Sequence, residues 1–193
     1  MPVHEFLQGN VDDLVAIDVH THAEVSIRDA KDELAQAFEE AAEKHFRQKK
    51  PRPTMPEAAE YYRQRKMACV VFTVDSERAT GRKRISNEEV AEIANQNSDV
   101  MIPFASIDPA KGKLGAREAR RLIKDYGVKG FKFHPQIQEF FPNDRNAYVI
   151  YEAIAEAGLP ALFHTGHSGL HAAPPAVIDW QPGRASLRSA KAI

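Results

Sequence analysis

Five short apolar runs recur along the chain, and each breaks off into polar residues: "LVAIDVH", "MACVVFTVD", "VMIPFASID", "VKGFKFH" and "PALFH". They are rich in Val, Ile and Phe and nearly continuous in apolar character, as strands covered on both faces are. Between them the apolar period changes to that of a helix. Leu34, Phe38, Ala41, Ala42 and His45 or Phe46 form one stripe in "DELAQAFEEAAEKHFRQ". "TMPEAAEYYRQRK" opens with Thr54 and has Glu57 three residues on, the spacing of a capping box, and Ser86 with Glu89 repeats it in "SNEEVAEIANQ". "AREARRLIKDYG" and "NAYVIYEAIAEAG" stop at Gly127 and Gly158, the residue type that most readily ends a helix.

From the second strand onward, strand and helix alternate at the length of a βαβ unit, which predicts a parallel sheet with right-handed crossovers. The connection after the first strand breaks the rhythm. Residues 23–66 hold two helical patterns and the Pro-rich link "KKPRP", so a helical cap over the end of the first strand is expected. After "LFHTGHSG" the rhythm stops, and residues 170–193 read as an irregular tail.

Composition narrows the function classes. The 193 residues leave room for one substantial core, and 43% hydrophobic with 27% charged residues is the balance of an ordinary globular chain. A formal net charge of -1 argues against a nucleic acid or a membrane surface as partner. The lone cysteine, Cys69, lies in an apolar run and reads as a buried thiol. There is no long apolar segment and no signal-peptide pattern at "MPVHEFLQGNVDD", so the expected compartment is the cytoplasm.

The polar residues that end the strands carry the chemistry. In parallel α/β folds, ligands bind at the C-terminal ends of the strands. Here those ends supply His20 and His22, then Asp75, Asp108, Lys132 with His134, and His164 with His167 close behind. Strict alternation along a strand would set Asp18, His20 and His22 on one face, and Lys132 with His134 on one face of the fourth strand. Two imidazoles one residue apart can converge on a metal ion, and a buried imidazole needs hydrogen-bond partners, so packing alone is a poor reason for the repeated histidines.

Taken in order, "IDVHTHAEV", "GVKGFKFHPQ" and "GLPALFHTGHSG" resemble the amidohydrolase superfamily, in its amidohydrolase-related branch with the aminocarboxymuconate-semialdehyde decarboxylase-like enzymes. The resemblance runs from about Leu14 to Gly169. Two other barrel families open with a similar motif. The PHP phosphoesterases call for Thr-Asp-His where this chain has "FTVDSE", and TatD-type nucleases for a glutamate near strand four, where Lys132 and His134 stand; a metal-dependent phosphoesterase is therefore the alternative enzyme class.

The resemblance implies a (β/α)8 barrel with one or two divalent metals, zinc first and manganese or iron as alternatives. His20, His22 and His164 take the metal-ligand positions, while Lys132 and His134 face a small-molecule substrate. It implies hydrolysis of a C–N or C–O bond, or decarboxylation of a small carboxylated substrate. The family pattern goes on to a histidine on strand six and an aspartate on strand eight. Five strands and a barrel norm of ~250 residues make residues 1–169 the expected N-terminal part of a barrel, as a truncated gene or shifted frame would leave it. Asp179 follows no strand series, and no residue is assigned the proton-transfer role. The rival expectation is a non-catalytic barrel fragment that binds a partner, or another copy of itself, through its open sheet edges.

Overall fold

The computed structural model describes residues 7–8, 11–30 and 52–165, with 40, 43 and 47 standing singly. Most of the expected cap helix at 32–48, the tail 170–193, His167 and Asp179 lie outside the described residues. Within them, β1 (Ala16–His22), β2 (Met67–Phe72), β3 (Met101–Ala105), β4 (Gly130–Phe133) and β5 (Ala161–Phe163) form one sheet in the order β1-β2-β3-β4-β5, every neighbouring pair parallel. All five apolar runs became strands. Sequential order with parallel pairing is the winding of a (β/α)8 barrel, and the fold is a partial barrel of that type.

The crossovers are α1 (Met55–Gln64), the short α2 (Glu77–Thr80), α3 (Asn87–Gln96), α4 (Gly112–Tyr126), the short α5 (Pro135–Gln138) and α6 (Arg145–Glu156). Their ends follow the local signals. The Thr54 N–H donates to Glu57 Oε2 at 2.8 Å to open α1, and Ser86 Oγ accepts from Glu89 N–H at 3.1 Å to open α3. Gly127 and Gly158 take φ of 64° and 65°, the left-handed region that costs glycine least.

Alternation along the strands sorts the core into two layers. Cys69, Val71 and Met101 pack outward on Met55, Ala59 and Tyr62 of α1 and Val90, Ile93 and Ala94 of α3. Ala105, Phe131 and Phe133 pack outward with Leu122 of α4 and Ile150 and Ile154 of α6. The concave face carries Ala68, Val70 and Phe72 of β2, Ile102 and Phe104 of β3, and the partly buried Ile17 and Leu162. Gly130 is needed here: a Cβ would meet the Phe104 ring at 2.3 Å, so the missing side chain lets that ring floor the interior.

Candidate functional site

Strict alternation fails in β1. Its register against β2 runs Asp18↔Cys69 and then Thr21↔Val71, so Val19 and His20 together oppose one residue. This is a β-bulge, which adds a residue to one strand and resets the parity beyond it. Asp18 and Thr21 therefore share the outer face and both meet the Tyr62 hydroxyl, at 2.8 Å each. His20 and His22 turn inward, with rings edge-on to Phe72 at 5.3 and 4.8 Å between centroids. The expectation that Asp18 would share their face is corrected. The bulge adds the residue that lets an inward Ile17 and inward histidines coexist.

The inward pair is close, with His20 Nε2 and His22 Nε2 3.2 Å apart. Two nitrogens bound to one tetrahedral zinc at ~2.0–2.1 Å stand ~3.3 Å apart by geometry. The pair thus spans one edge of such a site. The His164 ring lies 6.2 Å from that of His20 and stacks on His134 at 3.9 Å and 10°. Among the described residues no three His, Cys, Asp or Glu side chains stand close enough together to hold a metal ion.

Lys132 and His134 share the interior with the histidines. Exposure does not separate Lys132 from Phe131, because both are fully buried, but their neighbours do. Phe131 sits in the helix layer, whereas Lys132 Nζ lies 4.9 Å from the centre of the Phe72 ring. Among the described residues no hydrogen-bond partner reaches this ammonium. Burial pulls its pKa down to about 8. A cation over a ring face gains some attraction, yet far less than a carboxylate would give.

His134 is held from two sides. Its backbone N–H donates to Gln138 Oε1 at 2.7 Å, and its ring Nδ1 accepts from Ile137 N–H at 3.4 Å. A backbone N–H can only donate, so Nδ1 is unprotonated and the neutral ring carries its proton on Nε2. Burial, then the charges of His164, Lys132 and His22, lower its pKa to about 3. Burial and then His20, Lys132, His164 and Arg52 lower His22 to about 4. His20 is lowered by burial, Lys132 and His164, with Asp18 acting against them. The interior is thus a basin that resists added positive charge: His22 and His134 are neutral near pH 7, beside the charged Lys132.

Asp75 and Asp108, the other polar strand ends, are committed elsewhere. Asp75 pairs with Arg84 at 3.0 Å and Lys111 at 2.7 Å, and accepts from Asp108 N–H at 2.9 Å. Asp108 pairs with Arg78 at 2.8 Å and caps Ala110 N–H at 2.9 Å. Sequence reasoning also missed Glu89. Expected to complete a capping box, its carboxylate instead accepts from Ser26 Oγ at 2.8 Å and Ile27 N–H at 2.9 Å, tying down the turn after β1. Its burial shows only in the fold, where it stands on the inner side of α3 with Asn87, Val90 and Ile93, and no local signal in the sequence marks it.

The chain is similar to the crystal structure of 4-oxalomesaconate hydratase from Rhodopseudomonas palustris, at 16% identity and a TM-score of 0.43. The match covers 77% of this chain and 52% of that one, so the chain spans about half the length of that structure. No curated protein matches. The amidohydrolase family model matches residues 17–188, and the chain belongs to that family.

Proposed function

We propose that the concave face is a divalent-metal site for hydrolysis of a C–N or C–O bond, or for decarboxylation, in a small carboxylated substrate. The observation that carries this reading is the 3.2 Å approach of His20 Nε2 to His22 Nε2 on the interior face. His20 and His22 would hold the ion, with His164 as third ligand; imidazoles suit zinc best here, with iron or manganese as alternatives. When bound, such an ion lowers the pKa of water and polarises a carbonyl or carboxylate oxygen.

The chain's own groups account for binding and orientation. The Lys132 ammonium, buried without a hydrogen-bond partner among the described residues, attracts a carboxylate, and that charge-assisted bond satisfies both partners. His134, with its proton on Nε2, donates to a substrate oxygen and cannot become charged near neutral pH. Phe72 walls the basin, its ring centre 4.9 Å from the fully buried ammonium. The proton carrier is not among Asp75 and Asp108, whose oxygens are held by Arg84, Lys111 and Arg78.

Metal titration of the purified chain, followed by elemental analysis after gel filtration, tests the reading. One equivalent is expected, and a His20→Ala, His22→Ala double variant should lose it. Retention of the metal by that variant would sink the assignment. Turnover of amide, lactone and carboxylated aromatic substrates then separates the reaction types.

A second reading, association through the sheet edge, has one observation in its favour. Val15, just before β1, and Val19 on it are 72% and 57% exposed, and β1 pairs with β2 alone among the described pairings. Apolar side chains on an unpaired edge favour strand addition. Sedimentation that gives a concentration-independent monomer counts against it.

A further inference from the structure

We propose that the Tyr62 hydroxyl is a positioning group: it clamps the β1 bulge from the helix side and so sets the spacing of His20 and His22. The proposal rests on the metal reading for one arm of its test only. Tyr62 belongs to the buried stripe of α1, with Met55 and Ala59, and its hydroxyl is aimed at the strand.

The direction of each hydrogen bond follows from the chemistry. An ionised carboxylate only accepts, so Tyr62 Oη donates to Asp18 Oδ2 at 2.8 Å. Its one proton is then spent, and it accepts from Thr21 Oγ1 at 2.8 Å. Asp18 Oδ1 accepts from the backbone N–H of His20 at 2.9 Å. A bulge leaves its extra residue without the regular ladder. Here the aspartate supplies an acceptor to that residue, and one phenol ties together the positions on either side, Asp18 and Thr21. Burial, the leading cause, pushes the Tyr62 pKa up to about 12, so the proton stays available for donation.

The consequence reaches the site without Tyr62 touching either histidine. Side chains two apart on a strand start ~6–7 Å apart at their Cα atoms, so the rings must lean together to bring their Nε2 atoms to 3.2 Å. Loss of the bulge by a one-residue slip would swing the strand's side chains to the opposite faces. Partners of this kind behind metal ligands typically matter by ~10–100-fold in affinity.

The test uses the full chain with Tyr62→Phe, which keeps the ring in the α1 stripe and removes only the hydroxyl. Asp18→Ala removes the acceptor. Asp18→Asn is the conservative rescue, because its carbonyl still takes the His20 N–H while its amide donates to the Tyr62 oxygen. Hydrogen exchange of the His20 backbone amide, read in the metal-free chain, should quicken about tenfold in Tyr62→Phe and Asp18→Ala, as loss of one hydrogen bond allows. Asp18→Asn should stay close to the parent. In cobalt titrations, Tyr62→Phe should weaken binding ~10–100-fold and change the visible absorption band of the bound ion. Thermal melting confirms that each variant is folded, and Thr21→Val stands in should Tyr62→Phe fail to fold. An unchanged His20 exchange rate in Tyr62→Phe overturns the clamp whatever the metal does. If exchange responds but cobalt binds neither parent nor variant, the clamp stands and the metal reading falls.

Discussion

Two clusters of polar side chains stand at the same end of one sheet, and they treat charge in opposite ways. Around Asp75, a buried carboxylate meets Arg84 and Lys111 within 3.0 Å, and its backbone N–H and carbonyl are taken by Ser106 Oγ and Gln138 Nε2. Around Lys132, a fully buried ammonium has no hydrogen-bond partner among the described residues, and the rings beside it, His20, His22, His134 and His164, each bear on or are affected by one another's charge. Isolated buried charge costs several kcal/mol unless it is paired. The first cluster answers that cost inside the chain. The second leaves it open, which is how a site waiting for an anion or a metal differs from a brace.

The largest test is to break the brace. Asp75→Asn keeps the shape and removes the charge that Arg84 and Lys111 face. Removing one partner of a buried pair commonly costs ~3–5 kcal/mol. The low end is expected, because Glu77 remains 2.6 Å from Arg84 and Glu118 remains 3.1 Å from Lys111. Urea unfolding should show a lower midpoint with an unchanged slope. A loss under ~1 kcal/mol would mean the cluster behaves as surface charge and the contrast is false.

The interior should announce itself through pH. His134 has a folded pKa lowered to about 3 and His22 to about 4, against 6.5 when unfolded. Between these values the unfolded chain binds protons that the folded chain refuses, so stability rises with pH across that window and is lost as pH falls through it. The buried His134 contributes up to ~1.4 kcal/mol per pH unit, and the solvent-exposed His22 less. A His134→Gln variant should flatten the dependence between pH 6 and 4 in melts of the metal-free chain. Equal slopes in parent and variant would show that His134 titrates freely.

Lys132→Met probes the open charge directly. The change keeps most of the volume and removes an unpartnered ammonium, so stability should rise by ~0.5–2 kcal/mol while carboxylate binding weakens. A loss of stability would reveal that the contact with the Phe72 ring at 4.9 Å outweighs desolvation. That outcome would turn Lys132 from a waiting ligand group into a structural one.

What the sequence made legible follows from the range of each signal. Strands and helix ends are local, so the apolar runs, the Thr54–Glu57 pair and the glycines after α4 and α6 could be read directly. The parity of "GFKFHP" was legible because a fully buried lysine is tolerated in an interior and not beneath helices. The bulge was not legible. It depends on Tyr62, 44 residues from Asp18, and nothing in "AIDVHTH" marks an added residue. Asp75 and Asp108 could be given no role from the sequence for the same reason: an acid at a strand end looks alike whether it faces a ligand or Arg84, 9 residues on, does the pairing. Glu89 answered to a distant turn at Ser26 in place of its own cap.

The smallest effect sharpens the comparison most, because it falls inside the brace itself. Asp108 is as buried as Asp75, but its partner Arg78 keeps 45% of its side chain exposed, against 13% for Arg84. A solvated guanidinium that loses its carboxylate is received by water, so its cost is that of an exposed pair, ~0.2–1 kcal/mol. Arg78 also keeps its bond to the Gln138 carbonyl at 2.6 Å and its pair with Glu139 at 3.4 Å. The Asp108→Asn side-chain oxygen can still cap Ala110 N–H, the other bond that holds this turn. Asp108→Asn should therefore shift the urea midpoint several-fold less than Asp75→Asn in the same assay. Equal losses would show that burial of the acid alone sets the cost. The distinction drawn between brace and basin would then have to rest on the number of partners and not on what solvent can reach.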